Sequence, residues 1–303
     1  MSQTLERLRV EGSDGAGLSV ILRTPGQGDA ALPTVIFTNG FACPTFYWDA
    51  LHDRLGGRAR LVTWDFKGHG ESEPARSEAT ATIPEAAADL GRVMDAVGVD
   101  AGHPAILASF SVGCQVNLEA WRTLSDRIAG YALLLGTYEH PFRSLVHPLF
   151  GAQLERLLGV VQPGLAGPLL RTTARISKTG AGHRLNRLAK FVGSGATREV
   201  MDPFYDHLAT LDPASALWMA RSAARHTASD LLPRIDVPTL VIAGGHDRFT
   251  PPAIGKSMAE AIPGAEWTFL PDATHTGLLD LAEPIAGRTL AFLDRHHLLD
   301  RRG

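Results

Sequence analysis

A serine at the end of an apolar segment is the first residue of this chain that could do chemistry. Ser111 follows the apolar segment 105–110 and is followed by Val112 and Gly113. Small residues at positions 109 and 113 leave room for the tight strand-to-helix turn that pushes a serine hydroxyl out of a sheet. The pattern therefore predicts a nucleophile elbow with Ser111 at its apex, with Ser109 standing where glycine is usual.

A serine hydroxyl is a poor nucleophile near neutral pH, so Ser111 needs a histidine to take its proton and an acid to orient that histidine. Asp247 and His275 occur downstream in this order, and each follows a short apolar run of its own. Because the carboxyl ends of parallel strands meet at one sheet edge, we expect these three side chains to converge. His246 is adjacent to Asp247, and we interpret it as a solvated or locally bonded residue.

Backbone donors for a developing oxyanion are also predicted. The sequence Asn39-Gly40-Phe41 follows the apolar run 34–38 and offers the N–H group of Phe41. The second donor would be the N–H group of Val112, directly after the serine.

Short, continuous apolar runs alternate with helical patterns along the chain, which indicates a mostly parallel sheet covered on both faces. The helix before the elbow begins at Thr82, with Glu85 in capping-box spacing, and carries Asp89 on its apolar face as an expected structural carboxylate. The predicted strands are 34–38, 61–64, 105–110, 131–135, 239–243 and 266–270, after an N-terminal hairpin of 5–10 and 18–22.

The chain has 303 residues, of which 45% are hydrophobic, so it can bury a large core. About a hundred residues separate two of the predicted strands, too many for a simple connection. We expect a core of 1–136 and 230–303, interrupted by a helical cap of 137–229. This cap has 11 Lys and Arg against 6 Asp and Glu. Charge complementarity with the core and attraction of an anionic substrate both explain the excess.

The whole chain has a net charge of −3, which provides no electrostatic case for nucleic acid or an anionic membrane as partner. No signal peptide or membrane-spanning run is evident, so a cytoplasmic protein is expected. Cys43 and Cys114 are too few for a disulfide framework and are expected to be reduced thiols. The oligomeric state stays open.

The chain resembles the α/β-hydrolase superfamily, in its capped branch of serine esterases, lactonases, carbon–carbon bond hydrolases and perhydrolase-like enzymes. Besides the residues above, Asp65-Phe66-Lys67-Gly68-His69-Gly70-Glu71-Ser72 resembles the family's D-x-x-G-x-G-x-S loop, and Asn39-Gly40-Phe41 stands where the family usually has His-Gly-Phe. The resemblance implies a mostly parallel eight-stranded sheet, helices on both faces and an inserted helical cap. It also leaves Glu139 as an alternative acid, because some relatives place the acid after that earlier strand.

The implied reaction is acyl transfer to Ser111 and then hydrolysis, with His275 as base and then acid and no metal or cofactor. A carboxylic ester or related acyl compound with an apolar portion is the expected substrate. A carbon–carbon bond hydrolase, lactonase or thioesterase on the same residues, and a low-turnover ligand receptor, stay open as alternatives.

Aromatic residues near the catalytic loops and in the cap predict an apolar pocket. Those near the catalytic loops are Phe41, Phe46, Tyr47, Trp48 and Phe110, and those in the cap are Phe150, Phe204, Tyr205 and Trp218. Of these, we expect Trp48, Phe110, Phe150 and Trp218 to line the substrate pocket.

Overall fold

The computed structural model describes residues 3–26, 32–141, 156 and 158–300. Within these residues the strands form one eight-stranded sheet in the order β1-β2-β4-β3-β5-β6-β7-β8. Only β2 runs antiparallel to its neighbours, β1 and β4, and all other pairs are parallel. The strands are β1 Gln3–Glu11, β2 Gly17–Pro25, β3 Thr34–Thr38, β4 Arg60–Trp64, β5 Ala105–Phe110, β6 Ile128–Leu134, β7 Thr239–Gly244 and β8 Glu266–Leu270.

Helices follow most of the parallel strands and cover the sheet. The α-helices are α1 Asp49–Leu55, α2 Ile83–Ala96, α3 Gly113–Leu124, α4 Pro163–Lys178, α5 Gly180–Leu188, α6 Arg198–Thr210, α7 Pro213–Arg225, α8 Pro252–Ala261, α9 Gly277–Asp280 and α10 Ala282–Arg295. Short 3₁₀ turns lie at Thr45–Trp48, Glu78–Thr80, Ser125–Arg127 and Leu232–Arg234. No helix in the described part of the chain is both long and apolar enough to cross a membrane.

The central strands are buried on both faces, which explains their unbroken apolar sequences. Ile36 of β3 joins one core cluster, together with residues of α2, α3 and α8, while its neighbours Val35 and Phe37 join a second cluster with α1 and α10. Successive side chains of a strand point to opposite faces, so a strand between two helical layers needs apolar residues at every position. The predicted α/β fold with helices on both sheet faces is confirmed.

The predicted bounds of β3, β5 and β8 agree with the structure, whereas β6 begins three residues earlier than predicted. The first three residues of β6 include Gly130, and glycine is unfavourable in the interior of a strand. A Cβ atom at this glycine would lie 2.9 Å from the Leu298 side chain and 3.0 Å from the Pro238 carbonyl oxygen. A larger residue would clash at this position, so the close approach of neighbouring atoms explains why the strand has glycine here.

The helix before the elbow begins at Thr82, whose side chain accepts a hydrogen bond from the Glu85 backbone N–H. The return bond that would complete a capping box is not formed among the described residues. Asp89 is buried, as expected, and accepts from the Ser13 backbone N–H at 2.7 Å. It also pairs with Lys67 at 3.1 Å, which the sequence did not indicate. This carboxylate fastens the N-terminal hairpin to α2.

Among the helices whose bounds the described residues define, α4–α7 lie between β6 and β7, and we refer to these four as the inserted helices. Helix α7 is joined to the core through two hydroxyls: Ser215 accepts from the Ala75 backbone N–H and Ser222 from the Ile83 backbone N–H, both at 2.9 Å. A third apolar cluster packs α4, α6 and α7 together and includes Ala42 of the loop after β3. The inserted helices therefore rest on the loops at the carboxyl ends of the strands.

Candidate active site

Ser111 lies at the apex of the turn between β5 and α3, and its backbone has the φ of +55° that few non-glycine residues adopt. The turn fits because its neighbours are small. A Cβ at Gly113 would lie 2.5 Å from the Thr38 carbonyl oxygen, and one at Gly40 would lie 2.9 Å from the Ser111 Cβ. The backbone strain at Ser111 is of the kind that occurs at functional sites.

A chain of two hydrogen bonds joins Ser111, His275 and Asp247. The Ser111 Oγ lies 2.9 Å from the His275 Nε2, and the His275 Nδ1 lies 2.8 Å from an Asp247 carboxylate oxygen. The three residues follow β5, β8 and β7, so the same sheet edge presents all of them. An imidazole in this position can accept the hydroxyl proton while the carboxylate fixes its tautomer.

The Asp247 carboxylate is fully hydrogen-bonded. One oxygen accepts from the backbone N–H groups of Phe249 and Thr250, both at 2.9 Å, and the other accepts from the Thr250 hydroxyl at 2.8 Å as well as facing His275. The Thr250 hydroxyl also lies 2.7 Å from the Leu135 carbonyl oxygen. The side chain of Asp247 is completely buried. These bonds leave the carboxylate little freedom to turn away from the imidazole.

Two phenylalanine rings flank His275. The Phe110 centroid lies 4.9 Å and the Phe249 centroid 4.8 Å from the imidazole centroid, and each ring is tilted by about 33° from it. Phe249 and Thr250 were not singled out from the sequence. An aspartate followed two and three residues later by backbone N–H groups that it can bind is a recognisable turn, and this signal could have found Thr250.

The loop after β3 brings the Phe41 backbone beside the elbow. Asn39 fixes this loop by donating to the Trp64 carbonyl at 3.3 Å and accepting from the Trp48 indole N–H at 2.6 Å. No described residue accepts a hydrogen bond from the backbone N–H of Phe41 or of Val112. Both groups are therefore available to an oxygen atom of a bound molecule.

A model of the alpha/beta hydrolase family matches residues 35–288. The chain belongs to this family. The match includes all three hydrogen-bonded residues of the site and all of the parallel part of the sheet except Thr34.

Two curated relatives and one solved structure of this hydrolase family show the range of similarity. Polyketide synthase ThaQ of Burkholderia thailandensis is 27% identical over 92% of this chain, which spans only 13% of that protein. The pimeloyl-[acyl-carrier protein] methyl ester esterase of Neisseria meningitidis serogroup A is 24% identical over 87% of this chain and 78% of the esterase. The enol-lactonase structure from Burkholderia xenovorans has a TM-score of 0.71 at 22% identity and covers 95% of this chain and 100% of its own.

A cavity of about 370 Å³ opens beside Ser111 in this hydrolase. The core contributes Phe41, Tyr47 and Phe110 to its wall, and the inserted helices contribute Phe204 and Tyr205, so aromatic residues of both groups meet there. Its described lining includes no Lys, Arg, Asp or Glu. Such a cavity suits an uncharged, largely apolar molecule.

The predicted pocket residues are only partly at this cavity. Phe110 lines it, whereas Phe150 lies outside the described residues. Trp48 and Trp218 do not line it, which corrects the prediction for these two. Trp48 is fully buried against Phe37, at 5.0 Å between ring centroids, because its indole N–H serves the loop after β3. Trp218 lines a separate surface groove on α7, on the side of that helix facing α2.

The competing residues lie elsewhere or have other partners. Glu139 and Thr227 form an isolated β-bridge, and the Thr227 hydroxyl donates to the Glu139 carboxylate at 3.3 Å. The acid that contacts His275 is Asp247 instead. Ser109 is completely buried within β5, and its hydroxyl donates to the Cys114 sulfur at 3.3 Å. His246 is exposed to solvent.

Burial keeps two cysteines and one further histidine near the site neutral. Burial raises the pKa of the Cys43 thiol, which lines the cavity, and raises the pKa of Cys114 to about 12. It lowers the pKa of His69, in the glycine-containing loop, to about 4. These residues are thus poorly suited to act as ionised nucleophile or base near neutral pH. No cluster of three or more potential metal ligands occurs among the described residues.

Proposed function

We propose that this hydrolase cleaves carboxylic esters through an acyl-enzyme at Ser111. The observation that carries the proposal is the short chain of hydrogen bonds from Ser111 through His275 to Asp247, at 2.9 and 2.8 Å. Its position beside a cavity lined mainly by apolar side chains gives the hydroxyl access to a bound ester. The cytoplasmic location expected from the sequence is compatible with this proposal.

In the first half of the reaction the Ser111 Oγ attacks the ester carbonyl carbon while its proton passes to the His275 Nε2. The N–H groups of Phe41 and Val112 stabilise the resulting oxyanion, and the protonated imidazole then gives its proton to the departing alcohol. In the second half, His275 takes a proton from water, which attacks the acyl group. The acid leaves, and the proton returns to the Ser111 oxygen. Asp247 stabilises the imidazolium in both halves without taking a proton.

The cavity favours an uncharged acyl group of small to medium size. It holds about 370 Å³ and its described lining has no cation that could pair with a carboxylate near the reacting carbon. A carboxylate-bearing substrate of a carbon–carbon bond hydrolase is therefore less well matched than a neutral ester. The relative named as a methyl ester esterase fits this preference.

A lactone is the second candidate substrate, because ring opening of a lactone uses the same attack and the same oxyanion donors. The specific observation in its favour is the similarity to the enol-lactonase structure and to a curated 3-oxoadipate enol-lactonase of Acinetobacter baylyi, which is 24% identical over 92% of this chain. Parallel assays with an uncharged lactone and an uncharged open-chain ester of equal size would rank the two.

The Ser111→Ala variant tests the nucleophile. We expect kcat for a short p-nitrophenyl ester to fall by about 10⁴-fold or more, because no other group can form the acyl-enzyme. Ser109→Ala is the matched control, since it removes a hydroxyl two residues away that is bonded to Cys114. A wild-type protein with no turnover would favour the receptor alternative, and an active Ser111→Ala variant would refute the assignment of the nucleophile.

A further inference from the structure

The inserted helices carry an unusual concentration of one charge sign. Residues 156–198 include eight Lys and Arg and no Asp or Glu, although the whole chain has a net charge of −3. Among the described residues, ion pairs are made by Lys178, with Asp206, and Arg198, with Asp202. Arg171, Arg175 and Arg187 form no ion pair with any described residue. Helices α4 and α5 therefore present arginines that no other described side chain neutralises.

Aliphatic side chains are exposed on the same two helices. Leu165, Leu169 and Ile176 of α4 are 64%, 62% and 57% exposed, and Leu185 and Leu188 of α5 are 64% and 82% exposed. The α4 residues are spaced by four and seven positions, so they form one strip along the helix. Exposed large apolar residues are individually common, but aligned strips mark interaction surfaces.

The outer strips are distinct from the surfaces that these helices use for folding. The buried residues of α4 are small, and one of them, Ala174, packs with the half-buried Leu170 in the apolar cluster that also contains residues of α6 and α7. Ser177 of α4 and Asn186 of α5 face the cavity. The exposed leucines are thus not required by the core or by the candidate active site.

We propose that the outer faces of α4 and α5 dock peripherally on an anionic lipid surface. Aliphatic side chains enter the boundary between headgroups and acyl chains, while neighbouring Arg and Lys side chains bind the anionic headgroups. This proposal departs from the expectation of no membrane partner, which rested on the net charge of the whole chain. That net charge averages over a cationic segment and a more acidic remainder.

Other occupants match these faces less well. A second copy docked face to face would bring two cationic surfaces together, and the segment has no acid to offset them. Protein interfaces are enriched in aromatic residues, whereas the exposed side chains in these strips are aliphatic. A lipid surface accommodates aliphatic insertion and supplies the opposite charge.

Vesicle co-sedimentation tests the proposal with the full chain. Wild type is expected to sediment with vesicles containing equal parts phosphatidylglycerol and phosphatidylcholine, and to stay in solution with phosphatidylcholine alone. Binding should be lost in about 1 M NaCl, where the Debye length is about 3 Å. Failure to bind the anionic vesicles at low salt would overturn the proposal and would favour an acidic protein as the partner.

Paired variants separate the faces of α4 and α5 from charge in general. Arg175→Glu with Arg187→Glu should weaken partition to anionic vesicles by more than about tenfold. Arg92→Glu with Arg288→Glu changes the net charge equally on exposed positions of α2 and α10, and should weaken binding much less. Equal losses in the two pairs would contradict docking through α4 and α5.

Leu185→Ser with Leu188→Ser tests aliphatic insertion, and we expect a loss of about tenfold in vesicle binding. Unchanged binding would overturn the insertion. Circular dichroism and turnover of a soluble ester would show that each variant is folded, so that loss of docking is distinguished from loss of the proposed activity. Sedimentation velocity measures whether the exposed leucines instead hold two copies of the chain together. Wild type and the Leu185→Ser, Leu188→Ser variant should sediment as particles of the same size. A dimer of wild type that is lost in this variant would contradict the proposal.

Discussion

The sheet edge that carries Ser111, Asp247 and His275 and the inserted helices that cover it are built in different ways. At the edge, hydrogen bonds hold the three side chains in place: Thr250, in the turn after β7, fixes Asp247, and His275 is bonded to both Asp247 and Ser111. The inserted helices are held mainly by small and apolar residues packed against each other, and several large apolar side chains stay exposed.

The two regions therefore contribute different properties to the site: the sheet edge provides its chemistry, and the inserted helices provide the shape of its cavity. The edge contains the reactive groups, and hydrogen bonds between residues of three different turns set its geometry. The inserted helices contribute the cavity wall, and their inner surface is neutral although their sequence is cationic. The excess positive charge of the predicted cap therefore does not describe the cavity near Ser111.

The largest effect is expected from disturbing the edge itself. In Asp247→Asn, the new amide can donate to the His275 Nδ1, so Nε2 would carry the proton and could not accept one from Ser111. We expect kcat for a p-nitrophenyl ester to fall by about 10⁴-fold with little change in KM.

Glu139→Gln is the matched control for this change, because Glu139 is the competing acid and is bonded to Thr227 instead. It should retain nearly full activity. A large loss in Glu139→Gln together with a small loss in Asp247→Asn would reverse the assignment of the acid.

An intermediate effect is expected at the wall of the inserted helices. Phe204 lines the cavity, with its ring centroid 6.1 Å from that of Tyr47. Phe204→Ala should enlarge the cavity and move the preferred acyl length of p-nitrophenyl esters upward. The ratio of kcat/KM for a long ester to that for a short one is expected to rise by about tenfold.

Phe269→Ala provides the control, because Phe269 is 47% exposed on β8. This substitution removes the same side chain at a position away from the cavity. Its chain-length profile should match that of wild type. An unchanged profile in Phe204→Ala would show that the inserted helices do not limit the acyl group.

The smallest effect is expected where the two regions meet. Asp280 follows the His275 loop and packs against Gly193 and Gly195 of the segment between α5 and α6. Burial raises the pKa of Asp280 from 3.8 to about 6, so the native state holds this proton more tightly than the unfolded state does. The associated stability is fully present below pH 3.8 and is lost as the pH rises through about 6.

Asp280→Asn should therefore raise Tm relative to wild type by more at pH 8 than at pH 4, with a difference of about 2 °C after allowance for solvent screening. Thermal unfolding at the two pH values would measure it. Asp272→Asn, at an exposed position of the same loop, should show no such dependence. A larger gain at the lower pH would contradict the sign of the Asp280 contribution.

Most of the sheet could be predicted from the sequence, because strands buried on both faces leave continuous apolar runs such as β3 and β5. The positions of Ser111, Asp247 and His275 followed from the same runs, since each of the three lies in the segment that follows a strand. Thr250 was missed, although its bond to Asp247 is local and could have been anticipated from the turn.

The cavity wall could not be predicted in the same way. Trp48 and Tyr47 are neighbours in sequence, but only Tyr47 faces the cavity, because Trp48 is turned inward to reach Asn39. Phe204 meets Tyr47 across more than 150 residues of sequence. Residue type indicates that an aromatic group will be buried, whereas its partner depends on how the inserted helices pack on the core.

Covalent labelling tests the central claim most directly. Wild type treated with a fluorophosphonate should gain the mass of one adduct per chain, and peptide mapping should place that adduct on Ser111. Ser111→Ala should remain unlabelled, while Ser109→Ala should be labelled like wild type. An adduct on another residue, or none on folded wild type, would contradict the assignment of Ser111 as the nucleophile.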